Sequence, residues 1–229
     1  MKIKSLASSS LGNCYIIESG GQRLILESGV CLDKVFKAIN HRLDTVSAVL
    51  VSHRHGDHAR YINEFEKNTT WPIFCENGLK NAFHLNKCFD LEHNKQFRTC
   101  ETFSFQAIKL KHDVTCFGFI VYSHAEKEKI LFITDTGYIN KQIKPGFDIL
   151  MIEANHDIEL LDRQDLDQRA KDKIIRNHLN IDQTINFIIR HPAPKEIHLI
   201  HLSRGNSNAI EFKRRVQEVA GCPVYVANE

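Results

Sequence analysis

The sequence predicts an α/β protein, with two β-sheets face to face and helices over their outer surfaces. Three observations predict it. The opening stretch, residues 2–27, holds three short apolar or alternating runs parted by glycine-bearing turns. From residue 147 onward, strand-length apolar runs alternate with helical patterns. No linker, low-complexity tract or obvious repeat divides the 229 residues, so residues 1–229 are expected to form one domain. Such an order calls for sheets whose outer faces are covered by helices.

Residues 2–7, 13–18 and 22–27 are separated by Gly12-Asn13 and Ser19-Gly20-Gly21, the pattern of an antiparallel meander. Residues 31–43 carry Leu32, Val35, Phe36 and Ile39 at helical spacing, hence a helix. Residues 48–52 read as a short buried strand, with a helix starting near His58. A strand over 71–75 and a helix over 76–85 follow. Within 99–111, Phe103, Phe105, Ala107, Ile108 and Leu110 mark a strand that stops just short of His112. Residues 117–123 and 129–134 form a hairpin-like pair across Ala125-Glu126-Lys127-Glu128. The strand over 147–153 contains Ile149-Leu150-Met151-Ile152, which predicts burial on both faces. Residues 158–176 are charge-rich and read as helical, with Asp and Arg on a solvated face. A helix over 182–190, with Asp182 as its N-terminal residue, ends at His191-Pro192-Ala193-Pro194. A strand over 196–202, a helix over 208–220 and a strand over 223–227 close the chain.

Apolar residues make up 42% and charged residues 25%, the proportions of a soluble globular protein. No run of roughly 18 apolar residues exists, which argues against a membrane span. Met1-Lys2-Ile3-Lys4-Ser5-Leu6 lacks the apolar core of a signal peptide, so a cytoplasmic location is expected. The seven cysteines are odd in number and scattered, with no C-x-x-C, a pattern of free thiols in a reducing compartment. Thirty basic against twenty-eight acidic residues leave a formal charge of +2. A chain gripping a long nucleic acid usually shows a basic excess, so the balance tilts toward a small substrate. Net charge is, however, blind to a local patch.

The chemistry is concentrated in His53-Arg54-His55-Gly56-Asp57-His58, immediately after an apolar strand. Imidazoles two positions apart converge on one cation where the backbone turns, and the Asp-His pair behind them reaches a second. Gly56 is the residue expected where that turn is tight. Nitrogen and carboxylate donors suit zinc, and also manganese or iron. Three histidines and an aspartate crowded at a strand end have little structural reason to be there, so this is a metal site. His112-Asp113, Asp135 and His201 also sit where apolar strands stop. Singly, each reads as a cap or turn residue. Beside a metal cluster, they supply the ligands that a two-ion site still needs.

The order H-x-H-x-D-H, then His, Asp and His on strand ends, resembles the metallo-β-lactamase superfamily over essentially the entire chain. The resemblance implies a four-layer αββα sandwich with metals at one sheet edge. It implies a first ion held by His53, His55 and His112, a second held by Asp57, His58 and His201, and Asp135 bridging them. An aspartate at the bridge fits the phosphodiesterase branch. Leu6-Ala7-Ser8-Ser9-Ser10-Leu11-Gly12-Asn13-Cys14, Glu153-Ala154-Asn155-His156-Asp157, Asn177-His178-Leu179-Asn180 and His201-Leu202-Ser203-Arg204-Gly205-Asn206 resemble the YycJ group, which is close to the RNase Z enzymes. The phage-encoded anti-Pycsar phosphodiesterases, which cleave cyclic pyrimidine mononucleotides, are similar to the same group. One departure stands out: Leu26-Glu27-Ser28-Gly29 carries a glutamate where the family places an aspartate.

The resemblance further implies two divalent cations, zinc first and manganese second, acting on a phosphodiester. His178 lies 23 positions before His201, a similar offset to that of a catalytic histidine in RNase Z-like enzymes, and is the expected general acid. Glu153 or His156 is expected to orient it, and Asp57 or Asp135 to hold the proton of the attacking water. Ser203, Arg204 and Asn206 are expected to contact phosphate or ribose. His41, His84, His93, His124, His191 and His198 have no constellation around them and read as surface or core residues. The expected function is hydrolysis of small nucleotide diesters, 3′,5′-cyclic pyrimidine mononucleotides first, in a homodimer that counters host cyclic-nucleotide signalling. The competing expectations are a YycJ-like nuclease acting on RNA or DNA ends, and a non-catalytic module stabilised by metal. Seven ligands for two ions leave open positions, which disfavours the last.

Overall fold

Glycines at the turns let the N-terminal chain double back on itself. Strands β1 (Lys2–Ser9), β2 (Gly12–Ser19) and β3 (Gln22–Leu26) pair antiparallel. β4 (Val46–Leu50), β5 (Ile73–Cys75) and β6 (Cys88–Asp90) then add in parallel. Their crossovers carry α1 (Leu32–Ala38), α2 (Gly56–Ala59), α3 (Ile62–Asn68) and α4 (Asn77–Phe83). A second sheet repeats the plan. β7 (Gln96–Arg98), β8 (Phe103–Leu110), β9 (Cys116–Ser123) and β10 (Glu128–Ile133) are antiparallel. β11 (Ile149–Glu153), β12 (Glu196–Ile200) and β13 (Val224–Val226) follow in parallel. α5 (Ile158–Asp162), α6 (Gln168–Asn177), α7 (Ile181–Arg190) and α8 (Ala209–Ala220) lie between the later strands. This computed structural model describes residues 1–139, 143–191 and 194–227.

Buried apolar side chains form three clusters, one for each interface of a four-layer sandwich. One joins the first sheet to α1, α3 and α4 through Val35, Phe65 and Leu79. Another joins the second sheet to α7 and α8 through Phe187, Phe212 and Val216. The third lies between the sheets, where Phe119 has Phe105 and Phe132 at ring-centroid distances of 5.9 and 6.1 Å.

Several elements differ from the sequence pattern for identifiable reasons. The helix expected over 31–43 stops at Ala38, because Asn40 and His41 both take φ of 54° and cannot continue it. The strand before the histidines is Val46–Leu50, not 48–52: the Ser52 N–H leaves the ladder and donates to Glu27 Oε2 at 3.1 Å. Residues 158–176 split into two helices because Asp157 and Asp167 each accept N-terminal N–H groups, so a second cap starts a second helix. Asn180, in a reciprocal capping box with Gln183, starts the next helix, and Asp182 falls in its first turn. β6 and β7, three residues each, are too short to register as a pattern. The expected break over 191–194 includes Pro192 and Ala193, which lie outside the described residues.

Truncating Phe119 to alanine leaves a void between two sheets that cannot close on it. Phe119→Ala is expected to lower unfolding stability by about 3–5 kcal/mol. Ile210→Ala, at a position 85% exposed, is expected to change it by less than about 0.5 kcal/mol. Urea denaturation of both variants checks the contrast.

Candidate metal centre

The C-terminal ends of β4, β8, β10, β11 and β12 meet at one edge of the sandwich, and each delivers a polar residue there. The turn after β4 carries His53, His55, Asp57 and His58. His112 lies two residues beyond β8 and Asp135 two beyond β10; Glu153 ends β11, and His201 follows β12 directly. His178 caps the C-terminus of α6.

These side chains form two groups sharing one carboxylate. His53, His55, His112 and Asp135 bring their donor atoms within 4.8 Å of one another, and so do Asp57, His58, Asp135 and His201. Asp135 divides its oxygens between them. Oδ2 faces His53 Nε2 at 3.6 Å and His112 Nε2 at 3.9 Å; Oδ1 faces His58 Nε2 at 3.1 Å and His201 Nε2 at 3.4 Å. His55 Nδ1 lies 3.2 Å from His112 Nε2, and Asp57 Oδ2 lies 3.0 Å from His201 Nε2. The seven residues expected as ligands are thus all brought together, in the two sets expected. The donor chemistry fits a pair of divalent cations. The Nε2 atom of His53 is buried with no hydrogen-bond partner among the described residues, as an atom reserved for a metal would be.

The surrounding contacts fix ring orientation. His53 Nδ1 lies 2.9 Å from Ser52 Oγ, and His112 Nδ1 donates to the Asn177 carbonyl at 3.1 Å. Glu27, fully buried and with φ of 68°, brings its Oε1 to 3.4 Å from His58 Nδ1, an ion-pair distance, although neither atom has a hydrogen-bond partner among the described residues. Three partners went unassigned from sequence. Asn13 Nδ2 lies 3.1 Å from His58 Nε2 and 3.3 Å from Asp57 Oδ2. Asn155 Nδ2 donates to the His201 carbonyl at 3.0 Å. Asp113 Oδ1 lies 3.3 Å from His55 Nε2. Asn13 reads as a hairpin-turn residue, and only tertiary proximity reveals it.

Gly56 is not the tight-turn glycine that the motif suggests. Its φ is not positive, and a Cβ built there meets nothing within 4 Å. The demanding position is Gly29, where a Cβ would lie 1.9 Å from the Asp57 carbonyl oxygen.

Glu153 is the hub of a third group, with Asp135, His178 and His201. Its Oε1 accepts from His178 Nδ1 at 2.6 Å and lies 3.3 Å from His201 Nδ1. Its Oε2 accepts the N–H groups of Thr136 and Leu179, each at 3.1 Å. His156 does not share this role: among the described residues neither of its buried ring nitrogens has a hydrogen-bond partner, and burial pushes its pKa down to about 4. Among the expected substrate contacts, Ser203 is half-buried and Arg204 exposed, whereas Asn206 is buried and its carbonyl accepts the Asp157 N–H at 2.8 Å. Through that carbonyl Asn206 braces the loop that follows His201.

Burial would raise the carboxyl pKa values of Asp57, Asp135 and Glu153, but neighbouring imidazoles outweigh it and hold all three below the usual range. Burial pushes His53 and His112 down, so both stay neutral. It opposes charge on His58 and His201 too, yet Asp135 and the other carboxylates lift His58 well above an ordinary histidine and His201 to about 10. The edge is thus a nest of buried anions that demands positive charge, which divalent cations meet with nitrogen donors in place.

Two curated proteins match almost the whole chain. The exodeoxyribonuclease WalJ of Streptococcus pneumoniae is 27% identical over 227 residues, 90% of this chain and 83% of that protein. The exodeoxyribonuclease YycJ of Bacillus anthracis is 26% identical over 218 residues, 88% of this chain and 82% of that protein. Among solved structures, the metallo-beta-lactamase fold protein YhfI of Bacillus subtilis superposes with a TM-score of 0.78 at 18% identity, over 99% of this chain and 95% of that one. The model of the beta-lactamase superfamily domain matches residues 33–202, which include every residue of the cluster. The chain belongs to the beta-lactamase superfamily, as a metal-dependent hydrolase of that fold.

Proposed function

We propose that the chain hydrolyses nucleotide phosphodiesters, with nucleic-acid ends as the first substrate class. The observation that carries the reaction type is the Glu153–His178 pair, at 2.6 Å, set against the group that shares Asp135. A phosphodiester resists hydrolysis because its own charge repels the nucleophile and its alkoxide leaves poorly. A pair of divalent cations held by His53, His55 and His112 and by Asp57, His58 and His201, with Asp135 between, would acidify water and neutralise the phosphoryl oxygens. The chain's own residues address the leaving group. Glu153 occupies Nδ1 of His178, so the proton available for donation is the one on Nε2. Burial opposes charge on His178, but Glu153 and Asp135 outweigh it and raise its pKa, keeping the acid form present near neutrality. In this reading Asp57 and Asp135, both ionised, take up the proton of the attacking water.

The similarity to two exodeoxyribonucleases over more than four-fifths of their length supports nucleic-acid ends as substrate. Cyclic mononucleotides are the second reading, supported by the formal charge of only +2. A panel of 3′,5′-cyclic mononucleotides beside 5′-labelled single strands separates them. Shortening of the strands, abolished by a chelator and restored by zinc or manganese, is the expected outcome; turnover of cyclic nucleotides alone overturns the first reading in favour of the second.

His178→Ala is expected to slow cleavage of an unactivated diester by about 10²–10⁴-fold. Hydrolysis of bis(p-nitrophenyl) phosphate, whose leaving group needs no proton, should change far less. Equal losses on both substrates would remove His178 from the acid role.

The pH dependence has a definite sign. The acid form of His178 exists below its raised pKa and is lost as pH climbs through it, so kcat on the unactivated diester declines on the basic side. Glu153→Gln removes the larger attraction and leaves only that of Asp135 against burial, which moves that basic limb to lower pH. A limb that stays put in Glu153→Gln contradicts the pairing.

A further inference from the structure

Alternation along β8 sends Phe103, Phe105 and Ala107 between the sheets and Ser104, Gln106 and Ile108 to the outer face. α7 and α8 cover that outer face over β11 to β13. Over β7 to β10 it opens instead into a groove of about 810 Å³. The groove's lining includes Lys129, Lys144 and His93, with exposed Lys109 at its margin because its β8 parity is that of Ala107, and among the described residues it contains no Asp or Glu. Among the described residues, none of the three ammonium groups forms an ion pair. The Asp148 carboxylate accepts the Lys129 backbone N–H at 2.9 Å, but Lys195 neutralises it at 3.3 Å. In a chain whose formal charge is only +2, such an acid-free basic strip is a local feature and not a reflection of composition.

The groove has a direction. Ser104, Tyr122 and Lys129 lie side by side across β8, β9 and β10 at its far end. Leu110 lines its near end, with Lys109 at the margin, and stands two residues before His112 on the same strand. From Ser104 to Leu110 the strand spans about 20 Å. Half-buried Tyr122 lies directly across from Lys129, with the His124 ring 4.8 Å from its own, so an aromatic ring and a cation stand together, the combination on which single strands stack and neutralise their phosphates.

We propose that this groove is the track of a single-stranded nucleic acid whose end lies at the Asp135 cluster; the proposal rests on the phosphodiesterase reading and deepens its substrate class. Charge complementarity calls for an anion, and continuity with the ligand-bearing edge calls for one whose other end is the reacting group. A chain of phosphodiesters supplies both. A cyclic mononucleotide occupies the edge alone and has no use for the strip.

The test is fluorescence anisotropy with a fluorescein-labelled, hydrolysis-resistant phosphorothioate oligodeoxythymidylate, binding to the metal-loaded full chain. The wild type is compared with the triple variant Lys109→Glu/Lys129→Glu/Lys144→Glu and with the milder Lys109→Gln/Lys129→Gln/Lys144→Gln, whose circular dichroism and unfolding midpoints report on folding. The expected result is at least a tenfold loss of affinity in the glutamate variant and a smaller loss in the glutamine variant. The slope of log affinity against log salt should shrink by about 2 for three lysines. Hydrolysis of bis(p-nitrophenyl) phosphate should stay within twofold of wild type. Unchanged oligonucleotide affinity in both folded variants overturns the track. Absence of bis(p-nitrophenyl) phosphate hydrolysis in all three proteins overturns the phosphodiesterase reading, and the anisotropy comparison then still decides whether the groove binds the strand.

Discussion

The carboxylate of Asp135 stands between two sets of imidazoles, and the edge of the sandwich is arranged to keep it there. Its side chain is almost fully buried and each oxygen addresses a different set, so a rotation of the carboxyl would break both. Thr134 Oγ1 donates to Oδ1 at 2.8 Å and guards against that rotation. An ionised carboxylate is tolerated at this depth only because the histidines around it carry or attract positive charge. Strand ends from both sheets converge on it. Neither half of the repeated plan, meander followed by parallel strands, contains a complete set of donors.

That convergence is held under backbone strain. Glu27, Asp135 and His201 take φ of 68°, 32° and 54°, a region that non-glycine residues seldom occupy. Each such residue costs on the order of 1–3 kcal/mol and persists only where neighbours over-determine it. The neighbours are identifiable: the Glu27 N–H donates to the Leu50 carbonyl at 2.8 Å, and the His201 N–H to Ser8 Oγ at 2.9 Å. The Ser8 hydroxyl is itself 2.7 Å from that of Tyr15, which places the first hairpin under the last ligand. Three of the eight non-glycine residues with positive φ among the described ones thus belong to this edge.

The residues of the candidate centre were legible in sequence because metal ligands must be of few types and must follow strands. H-x-H-x-D-H, His112, Asp135 and His201 satisfy both conditions, and apolar strands end visibly. The long central strands were legible for the same reason. What escaped depends on distance in space. Asn13, Asp113 and Asn155 are ordinary turn residues until the fold sets them beside imidazoles. The division of 158–176 turned on whether Asp167 would cap, a local choice that charge density conceals. The basic groove was invisible to net charge because acidic residues elsewhere cancel it.

Gly29 has a counterpart on the other side of the centre. At Gly137, two residues after Asp135, a Cβ would come within 1.8 Å of the Arg176 carbonyl, two residues before His178. One glycine lets a neighbouring segment press against the backbone of Asp57, and the other presses the loop of Asp135 against the helix that ends at His178. The spacing between Asp135 and His178 is therefore gauged by peptide against peptide, with no adjustable side chain between them. A single methyl group is the tolerance to which this corner of the molecule is machined, so mutational drift at either position is halted by geometry before chemistry is consulted.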